Sequence, residues 1–369
     1  MNMNNFKLRD RDALLTPEGI ILRVYGDSYH PLDAWICDAE YASEKIYVST
    51  DPRAPRNGAT ETFYKFYADG GLQFVKNRFP QYQVFYEPLQ RTLVGISRPQ
   101  LNTCQVFKPE MGLESLLEVD EDDKLIVALK EVLAILIEHS SLKYSDFGVF
   151  GSLLFRFHHS ELSDLDFVIF GRKKLDELRN TLSELYSQKD HPLRNEFESF
   201  KILNKKHWPF ENFTLKDYWH YSREKLIYGI IDSRKANRSI KIEFEPIRAW
   251  GEITSEYDSN CRITNIGWIK AIARVLDDTE GFFMPSVFPI EIERIVKGPQ
   301  LKDDIFRVVS FVEEFRGNVT TDSSIIVEGN LEKLTFPNRE VEPKYQIMLT
   351  YGSNYHQQTL KFLSPSRHL

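Results

Sequence analysis

The stretch FGVFGSLLFRFHHSELSDLDFVIFG, residues 147–171, decides how the middle of this chain folds. Its apolar run at 147–150 predicts a buried strand that stops at Gly151, where the missing Cβ lets a turn approach a ligand closely. Ser152 then opens a short helical stretch over 153–157. A turn that feeds a helix start presents unpaired N–H groups to an anion, and the Ser hydroxyl adds a donor. Residues 165–170 predict a second strand. Because side chains alternate along a strand, Asp164 and Asp166 fall on one side while Leu165 and Phe167 point to the other. Two carboxylates about 6–7 Å apart on one strand face repel unless a cation lies between them. Magnesium or manganese, hard ions that share oxygen ligands with phosphates, suit that place. Either half of the pattern alone has a plainer reading, as an ordinary Gly-Ser turn or a Ser-Asp-x-Asp turn cap. Their joint spacing is what carries chemistry.

The joint order of strand, Gly151-Ser152, helix, turn and Asp164-x-Asp166 resembles the signature of the DNA polymerase β nucleotidyltransferase superfamily. That resemblance implies a third carboxylate on a later strand. The segment 239–248, SIKIEFEPIR, alternates Ile240, Ile242 and Phe244 with Lys241, Glu243 and Glu245, and so reads as a half-buried strand with two acids on one face. Either acid could complete the set. Glu243 is favoured because apolar residues flank it and Pro246 ends the ladder soon after Glu245. Most members carry Asp at this place, so a Glu adds a methylene of reach. The resemblance implies that Asp164, Asp166 and Glu243 hold the divalent metal and that Gly151 and Ser152 hold the nucleotide phosphates.

Among the basic clusters, Arg172-Lys173-Lys174, Lys205-Lys206 and Arg234-Lys235 with Arg238, the placement of Arg172 and Lys173 just past the second strand makes them the preferred phosphate-binding pair. The plainer reading of any such cluster is solvated surface. A net charge of −7 keeps the whole chain from attracting nucleic acid by field alone. His158, His159 and His191 lack paired ligand spacing and read as turn or surface residues.

The chain's 369 residues, 42% of them apolar, are enough for two or three domains with proper cores. No stretch of about 18 apolar residues predicts a membrane helix, and MNMNNFKLRDRD at the start lacks the apolar segment of a secretory signal. Three widely separated cysteines, Cys37, Cys104 and Cys261, fit a reducing, cytoplasmic setting without disulfides or a zinc knuckle.

The expected fold class is mixed α/β (α+β) in three parts. Residues 1–117 predict an α/β domain with strands at 20–25, 34–37 and 83–86 and a helix over 62–78, interrupted by the DPRAPR loop at 51–56. Residues 118–257 predict the polymerase β-like domain, with helices at 124–139, 174–187 and 214–227. Residues 258–369 change to β texture, with strands at 267–275, 306–315, 324–334 and 345–351, and predict a small barrel. Within it, DSSIIVEGNLEKLTF resembles an OB-fold strand, glycine, strand passage. Over nearly its full length the sequence resembles a family of predicted archaeal nucleotidyltransferases, through RDALLTPEGIILRVYG, HPLDAWICDAEYA, the central motif, IEFEPIR and ARVLDDTEGFFMPSVFPIEIE. The implied activity is transfer of a nucleoside monophosphate from a nucleoside triphosphate to a hydroxyl acceptor, RNA among the candidates. Modification of a protein or small molecule, and nucleotide binding without turnover, are the alternatives. Base preference, acceptor and oligomeric state are not specified.

Overall fold

A computed structural model of the chain describes residues 7–67, 70–119, 123–199, 210–254, 260–301, 304–337, 340–352 and 354–363. The protein is a mixed α+β chain, and its described residues form three sheets in two compact units. The first unit takes in residues 1–86, 92–198 and 226–255, and so contains both the N-terminal segment and the segment with the Gly-Ser and Asp-x-Asp motifs.

The first sheet holds β1 (Ala13–Leu15), β2 (Ile20–Val24), β3 (Ala34–Ser43), β4 (Pro55–Asn57), β5 (Thr62–Lys65), β6 (Gln83–Tyr86), β7 (Arg91–Ser97) and β8 (Gln105–Phe107). The pairing order is β4-β5-β3-β2-β1-β8, with β7 between β3 and β6. Alternation gives this sheet two apolar faces. One, with Leu14, Ile20, Leu22, Trp35 and Cys37, closes on Val75 of α1 (Gly70–Arg78) and Leu101 of the single turn α2 (Arg98–Leu101). The other, with Ala13, Ile21, Tyr41 and Phe63, packs on Leu154 and Phe157, just beyond the Gly-Ser turn.

The expected single helix over 62–78 is therefore corrected to a strand, Thr62–Lys65, and a shorter helix from Gly70. Aromatics at 63, 66, 67 and 74 mimic helical spacing, but Phe63 alone of the strand is fully buried while its neighbours pair with β3 and β4. Tertiary burial outweighs the local period.

The second sheet runs β11-β12-β13-β10-β9, from β9 (Phe147–Val149), β10 (Leu165–Phe170), β11 (Leu193–Asn195), β12 (Tyr228–Ser233) and β13 (Arg238–Ile247). Only β10 and β13 pair in parallel. Four helices accompany it: α3 (Pro109–Leu117) lies against β9, α4 (Lys124–Glu138) against β12, and α6 (Arg172–Ser187) against β10, while the single turn α5 (Gly151–Leu154) follows β9. Asp123 caps α4 by accepting from the backbone N–H groups of Leu125 and Ile126. On the buried face of the parallel pair Phe167 and Phe244 stack with centroids 5.4 Å apart, and neither ring is exposed to solvent.

The second unit comprises residues 87–91, 199–225 and 256–369. Its strands are β14 (Arg262–Val275), β15 (Ser286–Lys297), β16 (Ile305–Ser310), β17 (Ser324–Thr335), β18 (Lys344–Leu349) and β19 (Thr359–Phe362). The order is β14-β15-β16-β18-β17-β19, and β14 also pairs along β17. The long β17 thus receives β18 at one end, β19 at the other and β14 on its second edge. Ile269, Val275, Phe288, Val308, Val327 and Ile347 fill its core, together with Phe210, Phe213 and Tyr221. Strand β15, which no sequence expectation included, pairs with both β14 and β16. The expected strand at 306–315 ends at Ser310 and gives way to a 3-10 turn at Glu313–Phe315. Asp277 is a turn residue, its side chain accepting from the Thr279 N–H at 2.9 Å. Among the described residues no helix is long and apolar enough to cross a membrane. The three cysteines are free.

The stacked pair gives a direct test of the second sheet. Phe244→Ala should lower the unfolding free energy by about 3–5 kcal/mol, read from urea denaturation, because a large buried ring is lost and its cavity is lined by rigid strands. A loss under about 1 kcal/mol would contradict this packing.

Candidate functional site

The parallel register of β10 and β13 sets Asp166 beside Glu243 and Val168 beside Glu245. Paired residues point the same way, so Asp166, Glu243 and Glu245 share the face opposite the stacked phenylalanines. Asp164 stands exposed just ahead of β10, while Asp166 and Glu243 are half-buried. Arg238 at the start of β13 donates to the backbone carbonyls of Ser160 and Ser163, the latter at 3.0 Å, and thereby fixes the loop that delivers Asp164.

Gly151 meets these acids from β9. Its φ is +59°, and a Cβ built there would lie 2.9 Å from Asp166 Oδ2. Only glycine leaves that approach open. Ser152 follows it, buried. Burial raises the Asp166 carboxyl to about 7, and the neighbouring Asp164 charge pushes the same way; Lys65 opposes, while Glu40 and Glu245 add to the rise. The site is therefore an acidic focus in which one carboxyl is held near neutrality.

Glu245 is committed elsewhere. It is 1% exposed and forms a buried ion pair with Arg11, itself 2% exposed. Arg11 belongs to Arg9-Asp10-Arg11-Asp12, four consecutive charged residues each no more than 4% exposed. Around them Asp10 Oδ1 accepts from the Gly26 N–H at 2.8 Å, Asp27 Oδ1 accepts from the Asp10 N–H at 2.7 Å, and Arg248 lies 3.5 Å from Asp27. Burial raises Asp12 to about 6 and Asp27 to about 7. In the sequence this segment shows the missing apolar stretch of a secretory signal and, from Arg11 on, part of the archaeal-family resemblance, but no site residue. Its visible mark was strict charge alternation directly before an apolar strand.

Arg172 and Lys173 are not brought to the acids. They follow the far end of β10, six or seven residues past Asp166, which at 3.3 Å per residue is about 20 Å along the strand. The Arg172 N–H donates to Glu252, whose carboxylate also receives the Ala249 N–H at 3.0 Å. Lys173 lines a shallow polar hollow with His139, Asp176 and Glu177. Lys205-Lys206 lies outside the described residues.

The donor set fits a hard divalent cation in chemistry and in register, being carboxylate oxygens on one face of adjacent strands. Among the described residues, however, no three acidic, His or Cys side chains are gathered closely enough to hold an ion by themselves. An ion held there would take its remaining ligands from water or a bound molecule, as magnesium sites commonly do.

The chain is 27% identical over 335 residues to an uncharacterised protein of Methanocaldococcus jannaschii, an alignment covering 89% of this chain and 92% of that one. No family model and no solved structure matches the chain.

Two outcomes follow from the geometry. Gly151→Ala should cost about 1–2 kcal/mol in urea unfolding, because an L residue there is strained and its methyl presses on Asp166; an unchanged midpoint would refute the close approach. An acid whose folded pKa is raised binds its proton more tightly in the folded state, so its contribution to stability falls as pH rises from about 4 to about 7. The stability of Asp166→Asn minus that of the native chain should accordingly grow across this window, and a flat difference would show that Asp166 is not perturbed.

Proposed function

We propose that the protein is a metal-dependent nucleotidyltransferase, which moves a nucleoside monophosphate from a nucleoside triphosphate to a hydroxyl acceptor and releases pyrophosphate. The observation that carries this reading is the meeting of Gly151, Asp166 and Glu243 at neighbouring points of three adjacent strands and their turns. Asp164, Asp166 and Glu243 would hold magnesium or manganese, which when bound supplies positive charge to the polyphosphate and lowers the pKa of an attacking hydroxyl. Gly151 leaves room for phosphate oxygens beside the acids, and Ser152 offers a hydroxyl donor next to it. Glu243 accepts the proton of the attacking hydroxyl. As the new bond from that oxygen to the α-phosphorus forms, the bond to the β-phosphate oxygen breaks and its electrons leave with pyrophosphate. Alignment and charge neutralisation do most of the work.

RNA is one acceptor class, and a protein or small molecule is another. The cytoplasm suits the free thiols. The closing β14–β17 pairing supports reading the second unit's sheet as a small barrel. Nucleotide binding without turnover is the second reading. It draws on the lack of a preformed ligand cage among the described residues.

Labelled nucleoside triphosphates, tested one base at a time with tRNA, protein and no acceptor, separate these readings. Asp166→Asn should abolish magnesium-dependent label transfer, by at least about 100-fold, while keeping the native circular dichroism spectrum. Full transfer by this variant would remove the mechanism.

A further inference from the structure

Neither Arg172 nor Lys173 stands near the acids, so a polyphosphate at Asp164 and Asp166 would need cations from another element. The first sheet supplies them. In its antiparallel ladders Lys65 pairs with Tyr41 and Arg56 with Phe63, and directly paired residues share a face. That face is the one whose Tyr41 and Phe63 pack against Leu154 and Phe157, three and six residues beyond Gly151. Tyr41 lies 5.9 Å from the Phe155 ring and 5.0 Å from the Phe157 ring, and Lys65 Nζ sits 6.0 Å from the Tyr41 centroid. The chain just after the Gly-Ser turn therefore rests on the strands that carry both cations.

The cations of this sheet and its connecting turns are unequally committed. Arg23 is paired with Glu40 at 3.2 Å and Asp38 at 3.5 Å, Lys45 with Glu61, and Arg53 with Asp51. Lys65 and Arg56 make no ion pair among the described residues. Arg56 donates to the backbone carbonyls of Arg53 and Pro55, which leaves its charge unneutralised. Yet the Lys65 charge acts on Asp166, and Tyr41 lies within reach of the charges of both Arg56 and Asp166. Two half-buried cations beside an acidic focus, without carboxylates of their own, are open to an anion that comes with its own counter-ion.

We propose that Lys65 and Arg56 form a cationic wall, contributed by the N-terminal sheet, that receives the polyphosphate of a nucleotide opposite Asp164 and Asp166. This rests on reading those aspartates as a nucleotidyl-transfer centre. It also gives the sheet a part in the site beyond packing: the DPRAPR loop, which runs into β4, holds Arg56 in place.

Titration calorimetry of the full chain with inorganic triphosphate and magnesium tests the wall. Lys65→Ala and Arg56→Ala should each weaken binding about tenfold or more, the worth of a charge-assisted hydrogen bond. Lys65→Arg should bind as the native chain does, and Lys45→Ala, which removes an exposed cation, should leave affinity unchanged. Thermal melts of each variant identify any loss due to unfolding, and Lys65→Gln, which removes the charge but keeps much of the stem and should also lose about tenfold, keeps the test decisive if Lys65→Ala fails to fold. Native binding that both alanine variants retain overturns the wall and leaves nucleotidyl transfer standing. Lys65-dependent binding with no label transfer from any of the four triphosphates upholds the wall and overturns the transfer reading. Loss of oligonucleotide binding with intact triphosphate affinity assigns the cations to an acceptor and overturns the proposal, as does absence of triphosphate binding by the native chain.

Discussion

The parallel register between β10 and β13 is the constraint on which the rest of the first unit depends. It has two faces with opposite demands. Phe167 and Phe244 need a dry, tightly packed layer, whereas Asp166 and Glu243 need a polar one. A slip of a single residue would exchange the faces and bury two acids in the aromatic layer. Hydrophobic packing on one side therefore fixes the positions of Asp166 and Glu243 on the other.

The buried charges around Arg11 solve a related problem. Glu245 stands on the same face as Glu243 but is fully covered, and burying such a group costs several kcal/mol unless a counter-ion is placed with it. Arg11 provides that counter-ion from the turn ahead of β1, and Asp10, Asp27 and Arg248 continue the alternation of charge around it. The result separates two acids that look alike in the sequence. Glu243 keeps a half-exposed place beside Asp166, while Glu245 becomes part of the joint between the sheets.

What could be read in advance followed from locality. The strands at 147–149 and 165–170 lie where short apolar runs stop at glycine, and α4 begins at the aspartate that caps it. Readings that depended on distant partners fared differently. Residues 63, 66, 67 and 74 are aromatics at helical intervals, yet the edge of β3 pairs with Phe63, Tyr64 and Lys65 as a strand. The Arg9–Asp12 run is as polar as any tail and is buried only because acids and bases far along the chain meet it there. Arg172 and Lys173 follow the catalytic-looking strand closely in sequence, but a strand has two ends and the aspartates occupy the other one. Lys65, far from the motif in sequence, lies on the sheet that the motif packs against.

The Arg11–Glu245 contact also has a temporal side. The two residues are 234 positions apart, so during synthesis at about 5–20 residues per second the arginine waits roughly tens of seconds for its carboxylate to emerge. Until then the N-terminal strands cannot shed the water around four charges. The opening segment of the polypeptide must stay hydrated and loosely joined, and the first unit locks only when its last strand arrives.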